Sequence, residues 1–332
     1  MTSQSSRALI AGLVRSSGLD DPISAIRQSA QRLIDGFAAA FYGDTEKPLD
    51  LRALASFRGI RIVDAPPVHS EDAEIGPSAD GRVSIRLHPD RPETRRRFSL
   101  AHEIAHTFFP DFESRAWARA DSRFRWVGHP DDELERLCDI GASELLFPTR
   151  WFPSDASEVT CAGDLVQLAA TYGASREATL RRFAEYHSES LAAVYFRWSL
   201  KPSQAASIGQ KDQLDIFGMD PEQRIREARR LRVGYVIGSH AFAAGDMFVP
   251  NDKSIESAGS IYDAARTGSP IDGVDFLDLG PAAGHYTVHA VPTWTAEGER
   301  GPLGESAVVA VLKPTASRSK RVNAHGSAAA FL

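Results

Sequence analysis

The sequence His-Glu-Ile-Ala-His, which begins at His102, constrains this chain more than any other feature. It lies within residues 94–109, where apolar residues recur with the periodicity of an amphipathic helix. Residues four apart lie on one face of a helix, so His102 and His106 can direct both imidazoles at one ion. Glu103 projects beside them and can reach a water molecule without binding the ion itself.

Two imidazoles and a carboxylate in this pattern are typical of a catalytic zinc site. Neutral imidazoles bind zinc, and the ion lowers the pKa of a bound water to about 7. The Glu103 carboxylate can then accept the proton of that water and pass it to a leaving amine. The alternative is that His102 and His106 are two surface histidines. The apolar residues around the motif favour a metal site, because they keep it dry and hold its side chains in place.

A catalytic zinc site needs a third protein ligand and one open position. Glu135, on a helix predicted over residues 131–147, is the best candidate. Asp139 lies one turn later on the same face, where it can hydrogen-bond the far nitrogen of a ligating histidine. Both carboxylates have an alternative interpretation as solvated charges on an acidic helix. The other carboxylates that compete for the ligand position are Asp131, Asp132, Glu133 and Glu144.

A strand is predicted over residues 82–87, directly before the helix that carries the motif. Its residues alternate with a period of two, which indicates a strand with one exposed face. We expect an extended peptide to pair with the edge of this strand through main-chain hydrogen bonds.

Two segments together resemble the ImmA/IrrE family of metallopeptidases. The one that ends at His106 reads Arg-Arg-Phe-Ser-Leu-Ala-His-Glu-Ile-Ala-His. The one that begins at Glu135 reads Glu-Arg-Leu-Cys-Asp-Ile-Gly-Ala-Ser-Glu-Leu-Leu-Phe-Pro, as in the family's second helix. The resemblance covers residues 20–200 and is closer to the IrrE side of the family. It implies a zincin-like peptidase domain in which His102, His106 and Glu135 bind the metal and Glu103 is the general acid and base.

The same resemblance implies a protein substrate. Members of this family typically cleave a helix-turn-helix transcriptional repressor and so control a stress-response or mobile-element regulon. Zn²⁺ suits the nitrogen and oxygen ligands, and a site that contains glutamate can also take Mn²⁺. The alternative is a non-proteolytic regulator or sensor that binds DNA or a partner protein and keeps the metal for structure.

The whole chain predicts an α+β fold with several parts. These are a flexible N-terminus over 1–20, the peptidase domain over 21–155, a helix-turn-helix-like segment over 156–200, a linker over 201–220, an α+β domain over 221–315 and a disordered tail over 316–332. In the helix-turn-helix-like segment, Arg176, Arg181 and Arg182 could contact phosphates, or the helices could simply pack against the peptidase core. In IrrE-like proteins such a segment precedes a GAF-like domain, so residues 221–315 could bind a small ligand or a protein.

Composition narrows the function classes further. The net charge of −6 excludes a chain-wide polyanion binder but leaves room for a local basic patch. Two cysteines, Cys138 and Cys161, exclude a disulfide framework and favour a reducing compartment. Cys138 is expected to be a buried packing residue. Because the sequence shows neither a signal-peptide pattern nor a long apolar segment, we expect a cytoplasmic protein without a membrane partner.

Overall fold

A computed structural model describes residues 3–41, 47–68, 72–77, 82–110, 112, 117–118, 130–201, 203, 221–245, 247–296 and 299–315. The chain divides into two compact units, Met1–His187 and Ser188–Leu332. Both contain helices and strands, which agrees with the predicted α+β class. None of the helices in the described part of the chain is long and apolar enough to cross a membrane.

The first unit combines a group of helices with a small sheet. Its elements are α1 (Ser3–Ser17), α2 (Pro22–Ala40), α3 (Leu51–Phe57), β1 (Arg61–Asp64), β2 (Ala73–Pro77), β3 (Val83–Leu87), α4 (Glu93–His106), β4 (Trp117–Ala118), α5 (Pro130–Leu146), α6 (Phe152–Ser157), α7 (Ala162–Tyr172) and α8 (Arg176–Tyr186). Helix α2 shows why these segments are helical. The Asp21 side chain accepts a hydrogen bond from the Ser24 amide at 2.7 Å, and Pro22 begins the helix where its missing N–H costs nothing.

The N-terminal segment differs from the flexible one predicted over residues 1–20. It forms α1, which buries Leu9, Ile10 and Leu13. Leu13 lies four positions after Leu9 and three after Ile10, so the three residues share one face of the helix. Helix α1 contacts α2 and α5 and therefore belongs to the core of the first unit.

The sheet of the first unit has the strand order β1-β3-β2-β4. Strand β1 runs parallel to β3, and the other pairs are antiparallel. The predicted strand over 82–87 is present as β3, but β1 and β2 occupy both of its edges. The prediction that a peptide pairs with the edge of this strand is therefore wrong. Strand β2 makes a direct hydrogen bond with the motif, because the Ile75 amide donates to Glu103 Oε2 at 3.2 Å.

Helices α4 and α5 approach each other closely at Gly141. A Cβ atom at this position would lie 2.8 Å from the Cβ of Ala105 and 3.2 Å from Cγ1 of Ile26. Such distances leave no room for a side chain, since protein interiors are already close-packed. The glycine thus lets the helix that carries the two histidines lie directly against the helix that carries Glu135.

The second unit is built on a five-stranded antiparallel sheet. Its elements are β5 (Ala192–Ser199), α9 (Pro221–Ala228), β6 (Arg230–Gly238), α10 (His240–Ala244), α11 (Ser260–Thr267), β7 (Ile271–Leu277), β8 (Gly284–Thr293) and β9 (Ala307–Pro314), with a 3₁₀ turn at Gly280–Ala282. The strand order is β6-β5-β9-β8-β7. One face of the sheet packs against α10 and α11 in a core that includes Phe196, Val233, Val288, Phe242 and Ile261.

The boundary between the two units also differs from the predicted one. The sequence predicts a helix-turn-helix-like segment that continues to residue 200, but α8 ends at Tyr186 and β5 already belongs to the second unit. The run Ala-Ala-Val-Tyr-Phe-Arg-Trp is rich in the β-branched and aromatic residues that fit a sheet. Apart from residues 201 and 203, the predicted linker over 201–220 lies outside the described residues, as does the predicted tail over 316–332.

Candidate metal centre

The two histidines of the motif lie on the buried face of α4. His102 is 1% exposed and His106 is fully buried, and their ring centroids are 4.9 Å apart. Their Nε2 atoms both face Glu135 on α5. Oε2 of Glu135 lies 3.0 Å from Nε2 of His102 and 3.9 Å from Nε2 of His106. Two adjacent helices thus bring two nitrogens and one oxygen to a common point.

The opposite ring nitrogens of the two histidines have partners of their own. Nδ1 of His102 lies 2.9 Å from Oδ1 of Asp139, and Nδ1 of His106 lies 3.2 Å from Sγ of Cys138. A partner on the rear nitrogen fixes the orientation and the tautomer of an imidazole that binds metal through its front nitrogen. Asp139 and Cys138 are therefore placed to orient the two imidazole rings, and they do not lie on the Nε2 side that faces Glu135.

These atoms fit a divalent metal ion. In a tetrahedral site with zinc bonds of about 2.0–2.2 Å, neighbouring ligand atoms lie about 3.3 Å apart. The distances of 3.0 Å and 3.9 Å from Glu135 to the two histidines lie on either side of that value. Nitrogen and carboxylate ligands suit Zn²⁺ and also Mn²⁺. His102, His106 and Glu135 could thus hold a metal with small adjustments of their side chains.

A second possible ligand set replaces Glu135 with Cys138. One ligand atom from each of His102, His106 and Cys138 can be chosen so that all lie within 4.8 Å of one another. However, the sulfur faces Nδ1 of His106, on the side of the ring away from Glu135. Burial also raises the pKa of the Cys138 thiol well above its ordinary value, and nearby carboxylates raise it further. Since thiolate is the form that binds metal, the surroundings of Cys138 favour the carboxylate set.

The surroundings of His102 favour the charged imidazolium form, with a proton on each ring nitrogen, in the metal-free chain. Burial alone lowers its pKa, but the hydrogen bonds with Asp139 and Glu135 outweigh burial and raise the pKa to about 10. The proton on Nε2 then lies between His102 and Glu135, at the position that a metal bound by these two residues would occupy. A metal ion that binds here must displace this proton, because a ligating imidazole is neutral.

Glu103 is fully buried beside the histidines. Its Oε2 accepts the hydrogen bond from the Ile75 amide of β2, which fixes the direction of the carboxylate. A buried carboxylate held this way can take up and return a proton without changing its position. Sequence reasoning did not find Ile75, since its contribution comes from the main chain and carries no residue-type signal.

The remaining carboxylates of α5 do not join the two histidines. Glu144 is buried and forms an ion pair with Arg182, and Glu133 is exposed. The side chains of Asp131 and Asp132 are outside the described part of the chain. Among the described carboxylates of this helix, Glu135 and Asp139 are therefore the ones that reach the histidines.

Arg182 is not a nucleic-acid contact. Its side chain is 1% exposed, pairs with Glu144 and donates a hydrogen bond to the Tyr186 hydroxyl at 3.1 Å. The prediction that Arg182 contacts phosphates is therefore wrong, because an arginine fixed inside the core cannot reach them. Arg181 is exposed and Arg176 is half-buried, so a phosphate contact by these two stays a prediction. The burial of Leu180 and Phe183 shows that α8 packs into the first unit.

Comparison with the models of known families agrees with the predicted resemblance. Residues 58–184 match the model of the Peptidase_M78 family, described as the IrrE N-terminal-like domain. Resemblance to the ImmA/IrrE family is thus confirmed for a segment that includes α4 and α5, and the segment belongs to a metallopeptidase family. The comparison with curated proteins found no match. Among solved structures, a Mycobacterium tuberculosis transcriptional regulator is similar with a TM-score of 0.49 and 14% identity, over 86% of this chain and 74% of that chain.

Proposed function

We propose that this chain is a metal-dependent endopeptidase that hydrolyses a peptide bond in another protein. The observation that carries the proposal is the convergence of His102 and His106 on Glu135, with the buried Glu103 beside them. The match of residues 58–184 to a metallopeptidase domain supports it.

In this proposal His102, His106 and Glu135 hold the metal, which is Zn²⁺ or, with the same ligands, Mn²⁺. The chemistry supplied by a divalent ion at such a site is a lower pKa for an attacking water and a polarised scissile carbonyl. Asp139 and Cys138 keep the two imidazoles turned toward Glu135 through their contacts with the rear nitrogens.

Glu103 moves the proton. It accepts a proton from the attacking water as the new C–O bond forms, and it donates that proton to the nitrogen of the leaving amine as the C–N bond breaks. The Ile75 amide holds one carboxylate oxygen of Glu103, so the group keeps the same direction through both transfers. A carboxylate in this role serves first as a base and then as an acid.

The proposed substrate is a helix-turn-helix transcriptional repressor, whose cleavage would release a stress-response or mobile-element regulon. This part of the proposal rests on the resemblance to the ImmA/IrrE family. For the second unit we propose a GAF-like module that binds a small ligand or a protein. Its five-stranded antiparallel sheet with helices packed on one face supports that role.

The test is co-expression with the repressors encoded by neighbouring genes, followed by detection of cleavage. We expect Glu103→Gln to slow cleavage by about 100- to 10,000-fold, the usual contribution of a general acid and base. The bound metal should remain at the wild-type amount, because Glu103 is not a ligand. Glu133→Gln makes the same change at an exposed position of α5 and should leave cleavage intact. Undiminished cleavage by Glu103→Gln would contradict the proposal.

A further inference from the structure

The second unit contains a dense run of arginines. Residues 224–232 include five arginines and one glutamate, although the chain as a whole has a net charge of −6. The run spans the end of α9 and the start of β6. Like charges this close repel each other, so their concentration points to a partner of opposite charge.

The sheet topology brings another arginine to the same place. Arg230 at the start of β6 pairs with Ser199 at the end of β5, and Ala307 at the start of β9 pairs with Thr293 at the end of β8. Because β5 is antiparallel to both β6 and β9, these four positions lie at one end of the sheet. The connection between β8 and β9, which carries Arg300, therefore lies at the same end of the sheet as the arginine run.

In the described part of the chain, four of these arginines donate hydrogen bonds to main-chain oxygens: Arg229, Arg230, Arg232 and Arg300. Arg229 Nη1 donates to the carbonyl of Arg300 at 2.8 Å, which ties the run to the connection between β8 and β9. Arg230 Nη1 donates to the carbonyls of Glu227 and Arg229 at 2.9 Å and 2.8 Å. Arg300 Nη1 donates to the carbonyl of Gly304 at 3.4 Å. Main-chain acceptors position the guanidinium groups and leave their full charges in place.

A cavity of about 340 Å³ opens among these residues and is lined by Arg226, Arg300, Gly301 and Gly304. This volume lies at the lower end of the range of small-ligand sites, which is about 300–1,000 Å³. The loop that forms one wall is held in place, because buried Glu305 accepts a hydrogen bond from the Leu303 amide at 2.7 Å. Gly304 has a φ of 91°, and a Cβ there would meet no atom within 4 Å, so this wall is bare backbone facing open space.

We propose that this cavity, the arginine pocket, binds a phosphate-bearing anion. A guanidinium group presents a planar fork of donors that matches the oxygens of a phosphate, and its charge is permanent. Arg226 and Arg300 line the pocket, with Arg229 and Arg230 adding positive potential next to it. A free polyphosphate and a phosphate of a nucleic-acid backbone offer the same chemistry to these side chains.

The test is calorimetric titration of the full-length protein with sodium tripolyphosphate at low ionic strength. We expect saturable binding that weakens as salt is added. The double variant Arg226→Gln with Arg300→Gln should bind at least about tenfold more weakly, since each charge-assisted hydrogen bond to phosphate is strong. Both side chains are exposed, so the double variant should unfold at the wild-type temperature.

The matched control is Lys313→Gln with Arg61→Gln, which also removes two positive charges. Lys313 is 44% exposed near the end of β9 opposite the pocket, and Arg61 is exposed on β1 of the first unit, so their loss should leave the affinity unchanged. An equal loss of affinity in this control would overturn the proposal, because it would reveal attraction by net charge alone. Wild-type affinity in the double variant, or binding that disappears in Glu135→Ala, would overturn it by placing the anion elsewhere.

A second titration identifies the source of the phosphate. If a short duplex DNA displaces tripolyphosphate, and its binding depends on the same two arginines, the pocket takes the phosphates of a nucleic acid. If DNA does not compete while tripolyphosphate binding keeps its dependence on Arg226 and Arg300, the ligand is a small free phosphate. Either result supports the pocket, and absence of binding by both probes would overturn it.

Discussion

Helix α5 carries one carboxylate near each end, and the two carboxylates contact different basic side chains. Glu135 faces the imidazoles of His102 and His106, whereas Glu144 faces the guanidinium of Arg182. The Glu135 side chain is 25% exposed, but that of Glu144 is 4% exposed. Glu135 with its histidines and Glu144 with its arginine therefore share one helix and the pairing of a carboxylate with a basic side chain. They differ in the type of basic side chain and in the exposure of the carboxylate to solvent.

The difference in partner decides what each cluster can do. An imidazole can lose its proton and bind a metal, so the contact between His102 and Glu135 can be exchanged for two metal bonds. A guanidinium stays charged at every physiological pH, so the contact between Arg182 and Glu144 is a permanent ion pair. The part of α5 around Glu135 thus belongs to a site where a proton can be exchanged for a metal. The part around Glu144 holds the helix against α8.

The largest effect is expected from Glu144→Ala. This variant removes the buried carboxylate that pairs with Arg182 and leaves the partly exposed Glu185, 3.4 Å away, as the remaining carboxylate near its guanidinium. Loss of the buried partner should lower the free energy of unfolding by about 3–5 kcal/mol. Chemical denaturation of the metal-free protein measures the change. Metal affinity under folding conditions should stay at the wild-type level. The control is Glu144→Leu combined with Arg182→Met, which should recover most of the stability. Unchanged stability in Glu144→Ala would contradict the structural role given to the ion pair between Glu144 and Arg182.

Glu135→Ala should have the opposite pattern. Loss of a ligand is expected to lower metal affinity by more than the about 10- to 100-fold typical of residues that only orient a ligand. The stability of the metal-free protein should change less than in Glu144→Ala, because Glu135 is partly exposed. Competition with a metal chelator measures the affinity.

Cys138→Ala is the control for the choice of ligand set. Because the sulfur faces the rear nitrogen of His106, this variant should lose much less affinity than Glu135→Ala. If the order of the two variants is reversed, the metal is held by His102, His106 and Cys138, and the role given to Glu135 is wrong.

Asp139→Ala should produce a smaller effect. Nδ1 of His102 loses its hydrogen-bond partner, so metal affinity should fall by about 10- to 100-fold. Asp139→Asn keeps an acceptor oxygen and should recover most of the affinity, as chelator competition would show. An unchanged affinity in Asp139→Ala would mean that the ring of His102 is held by its packing alone.

Local sequence patterns were enough to predict α4 and α5. The motif lies in a segment of helical periodicity, and the four-residue spacing of Glu135 and Asp139 places both on one face. The structure puts these two carboxylates beside His102. The match to the IrrE N-terminal-like domain confirms the family resemblance that these segments carried.

Features that depend on distant partners could not be predicted in the same way. Arg182 and Glu144 are far apart in the chain, so the helical pattern of α8 did not reveal which arginine it buries. The edges of β3 are filled by β1 and β2, and no pattern within β3 itself records that pairing. The sequence pattern does not predict helix α1, because its buried face is short and has Leu9, Ile10 and Leu13 as its core residues.

A third carboxylate extends the comparison and carries the smallest expected effect. Asp164, in the first turn of α7, accepts hydrogen bonds from the amides of Thr160 and Cys161 at 2.9 Å and 3.1 Å. These bonds, led by that from Thr160, lower the pKa of Asp164 to about 2. Its contribution to stability is therefore complete above the ordinary pKa of 3.8 and is lost as the pH falls through about 2.

The measurement is the difference in melting temperature between the wild type and Asp164→Asn as a function of pH. The difference in melting temperature should be small and constant near neutral pH. It should decrease as the pH falls from 3.8 toward about 2. Glu158→Gln removes an exposed carboxylate nearby and is the control for the loss of one negative charge from this region. A difference that persists unchanged at pH 2 would show that Asp164 acts through its shape and not its charge. In that case the uncharged amides of Thr160 and Cys161 would not stabilise the negative charge of Asp164, unlike the imidazole and guanidinium partners of Glu135 and Glu144.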